Sequence, residues 1–223
     1  MELREAGVLV EHLYTPGFRR ESLLPGAQTV VSGGGINAAQ VAVTLAHETP
    51  GSVTLLLRHE LRIAAFDSPA GWTGPKNMQP FLAEPCLVRR RAMIQAVRAP
   101  GSMPNDVAHS LHRAARNGWL TVRRGAMHHA KRGAAGSISL QLLGETLHTE
   151  HVILATGFAR SRPGGAWLDS AIAAYELPLA PCGYPVIDRS LQWAPGLYVT
   201  DGLAELELGP VAFNIVCARH AAP

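Results

Sequence analysis

An α/β fold built on a parallel sheet is predicted from three observations. Residues 28–58 read as strand, glycine turn, helix and strand within one continuous stretch. A second buried-strand pattern, His151-Val152-Ile153-Leu154, ends in Ala155-Thr156-Gly157. Finally, 47% of the 223 residues are hydrophobic and only 17% are charged. That is enough apolar material for a sizeable core, and it excludes wholesale disorder.

Each element has its own cause in the sequence. Gln28-Thr29-Val30-Val31-Ser32 is β-branched and bounded by glycine on both sides, the pattern of a short buried strand. Gly33-Gly34-Gly35 breaks it. From Ile36 to His47 the residues Ile36, Ala39, Val43 and Ala46 recur at helical spacing, and Thr49-Pro50-Gly51 stops the helix. Val53-Thr54-Leu55-Leu56-Leu57 is a second buried strand, and a crossover of this length makes the two strands parallel neighbours. Residues 59–101 are less regular: Asp67 to Pro75 reads as a loop and Leu87–Val97 as a basic amphipathic helix. Ser102 is placed to cap a helix with Pro104 in its first turn, ending near Asn117-Gly118. Trp119–Val122 reads as a third strand, and Ala126–Lys131 with Ser137–Leu142 as a small β-meander. Near the end, Leu197–Thr200 is a strand followed by Asp201-Gly202, and Gly209-Pro210 opens a helix expected to reach His220.

The net charge of +3 is unevenly placed, because residues 86–135 hold ten basic side chains against the lone Asp106. Such a stretch suits an anionic partner or a solvated helical face. Arg89-Arg90-Arg91, Arg123-Arg124 and Lys131-Arg132 lack interleaved aromatics, and no nucleic-acid-binding module surrounds them. They are read as a solvated face, or one turned to cofactor phosphates, and no nucleic-acid partner is expected. No run approaches the ~18 apolar residues of a membrane-spanning helix. Met1–Glu5 shows no signal-peptide pattern, so the cytoplasm is the expected address and no membrane partner is expected. Cys86, Cys182 and Cys217 form no CxxC and no metal-ligand spacing, and read as small apolar fillers. His128-His129 reads as a surface turn, and no metal is expected.

The motif that carries chemistry is Gly33-x-Gly35-x-x-Ala38, which fits the dinucleotide fingerprint G-x-G-x-x-G/A. The first glycine permits the tight turn, and the second, after Gly34, lets the backbone approach a pyrophosphate. The small third residue lets helix and strand pack closely, and Asn37 lies in the helix's first turn, where N–H groups face outward. The other reading is a glycine-rich turn in some different α/β unit. At the end of the second strand an NAD-binding unit carries Asp or Glu for the ribose 2′-hydroxyl. This chain has Arg58, and a guanidinium suits a 2′-phosphate, so NADPH is expected rather than NADH.

Taken together, three segments resemble the flavin-dependent monooxygenases and N-hydroxylating amine monooxygenases. They are Gly33-Gly34-Gly35-Ile36-Asn37-Ala38-Ala39, His151 to Phe158 with Pro163 behind it, and Gly196-Leu197-Tyr198-Val199-Thr200. Phe66-Asp67-Ser68-Pro69 is similar, less specifically, to a loop of ornithine and lysine N-hydroxylases. The resemblance implies a Rossmann-like NADP(H)-binding domain over 28–154, after a lead or linker over 1–27 in which His12 and Tyr14 belong to the entering linker. Residues 155–223 would supply the C-terminal strand and helix of a partial FAD domain. Thr156 and Gly157 would mark the return between the domains, and Asp201 would contact the flavin's ribityl or ribose hydroxyls. Asp201 equally fits a turn residue before glycine. The implied cofactors are NADPH and FAD. The implied chemistry is hydride transfer from NADPH to FAD, then hydroxylation of a small nucleophilic molecule such as an amine. A flavin-dependent NADPH reductase or oxidase, and a non-catalytic NADP-binding module, are the other readings. The family carries two glycine fingerprints and this chain one. It therefore resembles the second half of such an enzyme, expected to form a homo-oligomer or to meet a separate FAD-domain partner.

Overall fold

The computed structural model of the protein describes residues 10–66, 68–133, 137–159 and 161–213, the side chain of Ser22 excepted. In chain order, β1 (Val10–His12), β2 (Thr29–Ser32), α1 (Ile36–Glu48), β3 (Val53–Leu57) and β4 (Arg62–Ile63) come first. α2 (Pro75–Ala83), α3 (Leu87–Val97), β5 (Ser102–Met103) and α4 (Asn105–Arg116) follow. Then come β6 (Leu120–Arg124), β7 (His129–Arg132), β8 (Ile138–Gln141), β9 (Thr146–Thr149) and β10 (His151–Leu154). The later chain holds α5 (Gly165–Ala174), β11 (Gln192–Ala194), β12 (Leu197–Tyr198) and α6 (Glu205–Leu208).

The chain forms two compact units. One combines the chain up to Ala65 with Pro100–Phe158, and the other combines Phe66–Ala99 with the chain from Ala159 onward. Phe66–Ala99, which the sequence groups with the dinucleotide-binding stretch, thus packs with the later residues.

The first unit is built on a five-stranded sheet in the order β1-β10-β2-β3-β6, parallel throughout. Its strands read as unbroken apolar runs because both faces are covered. Val31, Leu55 and Ile153 face a core that includes Ala39, Ala42 and Leu45 of α1 and Ala108 and Leu111 of α4. Val30, Leu56 and Val152 point the other way, into a cluster with Ala130, Ile138 and Leu140 of the antiparallel meander β7-β8-β9. β1 is a strand of this sheet, where the sequence suggests only an irregular lead. Ser102 does not cap a helix: with Met103 it pairs parallel to Arg62–Ile63, and α4 begins at Asn105 after Pro104.

In the second unit, Ala70–Thr73 makes one 3₁₀ turn inside the expected loop, and α2 starts at the loop's last residue, Pro75. Phe81, Ile94, Trp72, Tyr184 and Leu206 form one core, and Leu168, Leu177 and Trp193 another. Leu197–Tyr198 is a two-residue strand antiparallel to β11. Gly209–Val211 is a single 3₁₀ turn, and the remainder of the expected C-terminal helix lies outside the described residues, as does Cys217.

Of Arg89-Arg90-Arg91, Arg89 is solvated, but Arg90 and Arg91 are turned into the fold. Arg91 pairs with the fully buried Glu205, and Arg98 reaches the same carboxylate at 2.8 Å. Arg91 also donates to the Tyr184 hydroxyl at 2.9 Å. Arg90 pairs with Glu207 at 2.9 Å, and Arg89 with Glu84 at 3.2 Å. In the first unit, Arg123 and Arg124 pair with Glu145 and Glu60 at 2.6 and 3.0 Å. Most of the central positive charge is therefore met by acids elsewhere in the chain.

Candidate functional site

Strands run from β2 outward through β3 to β6, and the chain then returns to place β10 on the opposite side of β2. This makes β2/β10 the point where strand order reverses, and ligands of open α/β sheets bind outside the carboxyl ends of the strands there. Gly33-Gly34-Gly35 follows β2 at that point, and Ala155-Thr156-Gly157 follows β10.

The need for glycine at 33 is steric. A Cβ there would stand 2.3 Å from the Ala155 carbonyl oxygen and 3.0 Å from the Ala38 Cβ. The turn, the end of β10 and the first turn of α1 thus approach one another more closely than any other residue allows, with Ala38 fully buried beneath. No side chain caps α1 at Gly35, so the N–H groups of Ile36, Asn37 and Ala38 have no partner within the helix. Asn37 is exposed beside them. Backbone donors on the positive end of a helix, bare of side chains, fit a pyrophosphate.

Arg58 follows β3 and is exposed, with no ion pair or hydrogen bond among the described residues. Its neighbour His59 was not marked by any spacing rule. Its ring lies 3.0 Å from where a Cβ on Gly34 would stand and 3.1 Å from the corresponding point on Gly101. Nδ1 of His59 is 2.8 Å from the Glu60 carbonyl oxygen, which fixes the ring in place. Gly101, at φ +74°, occupies backbone space that favours glycine.

The loop after β10 is held by the entering segment. Tyr14 N–H donates to His12 Nδ1 at 3.3 Å, which leaves the His12 Nε2 proton to donate to the Gly157 carbonyl at 3.0 Å. The Tyr14 and Phe158 rings stack at 4.8 Å. Thr156 is exposed, and Gly157 has φ +74°.

Asp201 belongs to the second unit, where it is exposed with φ +57°, a conformation tolerated by Asp in turns. Gly202 beside it lies under the Phe213 ring, 2.6 Å from where its Cβ would be. Cys86 is less a filler than the sequence suggests. It sits half-buried at the start of α3, and hydrogen bonding from the Arg89 backbone holds its thiol pKa below the usual value. Asp67 of the Phe66–Pro69 loop lies outside the described residues. Among the described residues no cluster of His, Cys, Asp and Glu is arranged to hold a metal, and no helix is long and apolar enough to cross a membrane.

No protein family matches this sequence, and no curated protein matches it. Solved structures match it in fold. The ornithine N-hydroxylase KtzI of Kutzneria sp. 744, with reduced FAD, NADP+ and L-ornithine, superposes with a TM-score of 0.68 at 19% identity. That match covers 96% of this chain and 57% of the hydroxylase. The HOCl-induced flavoprotein disulfide reductase RclA of Escherichia coli superposes with a TM-score of 0.54 at 12% identity, over 97% of this chain and 39% of the reductase. The chain thus shares the fold of these two flavoprotein structures. It spans a little over half the length of the hydroxylase.

Proposed function

We propose that this chain serves in an NADPH-dependent, FAD-containing oxidoreductase of the N-hydroxylating monooxygenase type. The observation that carries this reading is the glycine turn at the β2/β10 reversal, where a Cβ on Gly33 would meet the Ala155 carbonyl at 2.3 Å. Within residues 28–154, the first-unit portions 28–65 and 100–154 bind NADP(H). Gly33, Gly34 and Gly35 let the backbone touch the pyrophosphate, the N–H groups of Asn37 and Ala38 donate to it, and Arg58 holds the 2′-phosphate. Thr156 and Gly157, in the first unit, bind cofactor where the chain leaves the nucleotide domain, and Asp201, in the second unit, is by itself the proposed contact to flavin hydroxyls. Flavin, when bound, would supply the redox chemistry, with NADPH as the electron source and molecular oxygen giving one atom to a small nucleophilic molecule and the other to water. What this chain supplies is position, namely a rigid turn for the nucleotide and a braced Thr156-Gly157-Phe158 loop. A further copy of the chain or a separate FAD-binding domain completes the flavin site.

The test is a visible absorption spectrum of the purified chain after incubation with FAD and gel filtration, followed by addition of NADPH. Retained flavin bands that bleach with NADPH support the reading, and a hydroxylated amine rather than peroxide as product supports its N-hydroxylating form. Peroxide alone would assign a reductase or oxidase. A colourless protein that still binds NADPH would reduce it to an NADP-binding module.

A further inference from the structure

A cavity of about 750 Å³ lies within the second unit, inside the size range of small-molecule sites. Its walls are mostly apolar: Trp72, Met78, Leu82 and Val211 line it, the first and last nearly fully buried, with Thr73 and Gln79 as polar members. Two charged side chains also line it, Arg189 and Glu207. They are not equivalent. Glu207 is neutralised by Arg90 at 2.9 Å, and that guanidinium is locked by further hydrogen bonds to the carbonyls of Leu82, Glu84 and Leu206. Arg189 makes no ion pair and no hydrogen bond among the described residues. Among the described residues the cavity therefore presents a mostly apolar wall and, at its exposed rim, one positive charge with no acidic partner.

We infer that this cavity binds an amphipathic organic acid, with its apolar body among Trp72, Met78, Leu82 and Val211 and its carboxylate on Arg189. A guanidinium pairs with a carboxylate through two parallel N–H···O bonds, which fixes orientation as well as adding affinity. The apolar wall removes the body of the ligand from water, the non-directional part of the binding. An alkylamine of the same length is repelled by Arg189 and finds Glu207 already paired. This assignment does not rest on the flavin or NADPH reading, because every residue it uses lies in the cavity and none touches the glycine turn.

The test is calorimetric titration of the full chain, without flavin or NADPH, with decanoate, decanamide and decylamine. The expected result is saturable one-to-one binding of decanoate, about tenfold or more tighter than decanamide, with decylamine weaker still. Arg189→Gln should bring decanoate down to the affinity of decanamide and leave decanamide unchanged. Gln79→Trp, an exposed α2 position on the cavity wall, should weaken both ligands while the thermal unfolding midpoint stays unaltered. The inference is overturned if decanoate shows no saturable binding, or if decanamide or decylamine binds as tightly. It is equally overturned if Arg189→Gln leaves decanoate unaffected, or if Gln79→Trp leaves both ligands bound as before.

Discussion

A methyl group at residue 33 has no room. Gly33→Ala drives a Cβ to 2.3 Å from the backbone oxygen of Ala155, just after β10, whose N–H is itself bonded to the Ser32 carbonyl. Overpacking of this kind costs about 1–3 kcal/mol, and the shift it forces opens the turn that would hold a pyrophosphate. Urea unfolding should show that loss, and nucleotide titration should show NADPH binding lost with it. Gly51→Ala is the contrast, since it also has positive φ but meets nothing within 4 Å, so it should cost stability and leave nucleotide binding intact. At the far end of the chain, Asp188 accepts hydrogen bonds from the Ser190 hydroxyl and from the N–H groups of Ser190 and Gln192. The Ser190 hydroxyl foremost, then the Gln192 N–H, hold its carboxyl below the usual carboxylate value. A depressed pKa gives stability that is present above the unfolded value of about 3.9 and is lost as pH falls through the folded one. Asp188→Asn should therefore flatten the acid limb of a plot of urea midpoint against pH, and an unchanged limb would contradict this.

Among the elements, α3 shows how far charge composition alone can mislead. Ten cations against one acid in residues 86–135 suggest a face for an anionic partner. Yet Arg91 finds Glu205 at a distance of 114 residues along the chain, and spacing rules act over a few residues and cannot see such a pair. Glu205 is fully buried between Arg91 and Arg98, so Glu205→Gln leaves two cations facing a neutral amide. Breaking one partner of a buried ion pair costs about 3–5 kcal/mol, and thermal unfolding of the variant should show a loss of that order. The β2-α1-β3 stretch was legible because its cause is local: an apolar run, three glycines, a helical repeat and another apolar run. β1 was not, because three residues carry no period, and its place is set by pairing with β10 across the fold. α2 was hidden by Gly74, Pro75 and Pro80, residues that punctuate a sequence but sit here at the start and inside of a nine-residue helix.

The whole molecule joins a parallel sheet, covered on both faces, to a second unit with its own cores. From sequence the glycine turn and Arg58 could be placed on one sheet edge, because fingerprint and strand length together determine where each falls. The His59–Gly34–Gly101 contact could not, since it depends on how residues 100 and 101 return to that edge. The likeness to KtzI covers nearly all of this chain and extends to the fold, and the assignment of NADPH to it rests on the turn and on Arg58. The most direct test is calorimetric titration of the full chain with NADPH and with NADH, repeated for Arg58→Gln. The account predicts one NADPH per chain, bound about tenfold or more tighter than NADH, with that preference abolished in the variant and NADH affinity unchanged. Equal affinities for the two nucleotides, or no binding of either, would contradict it.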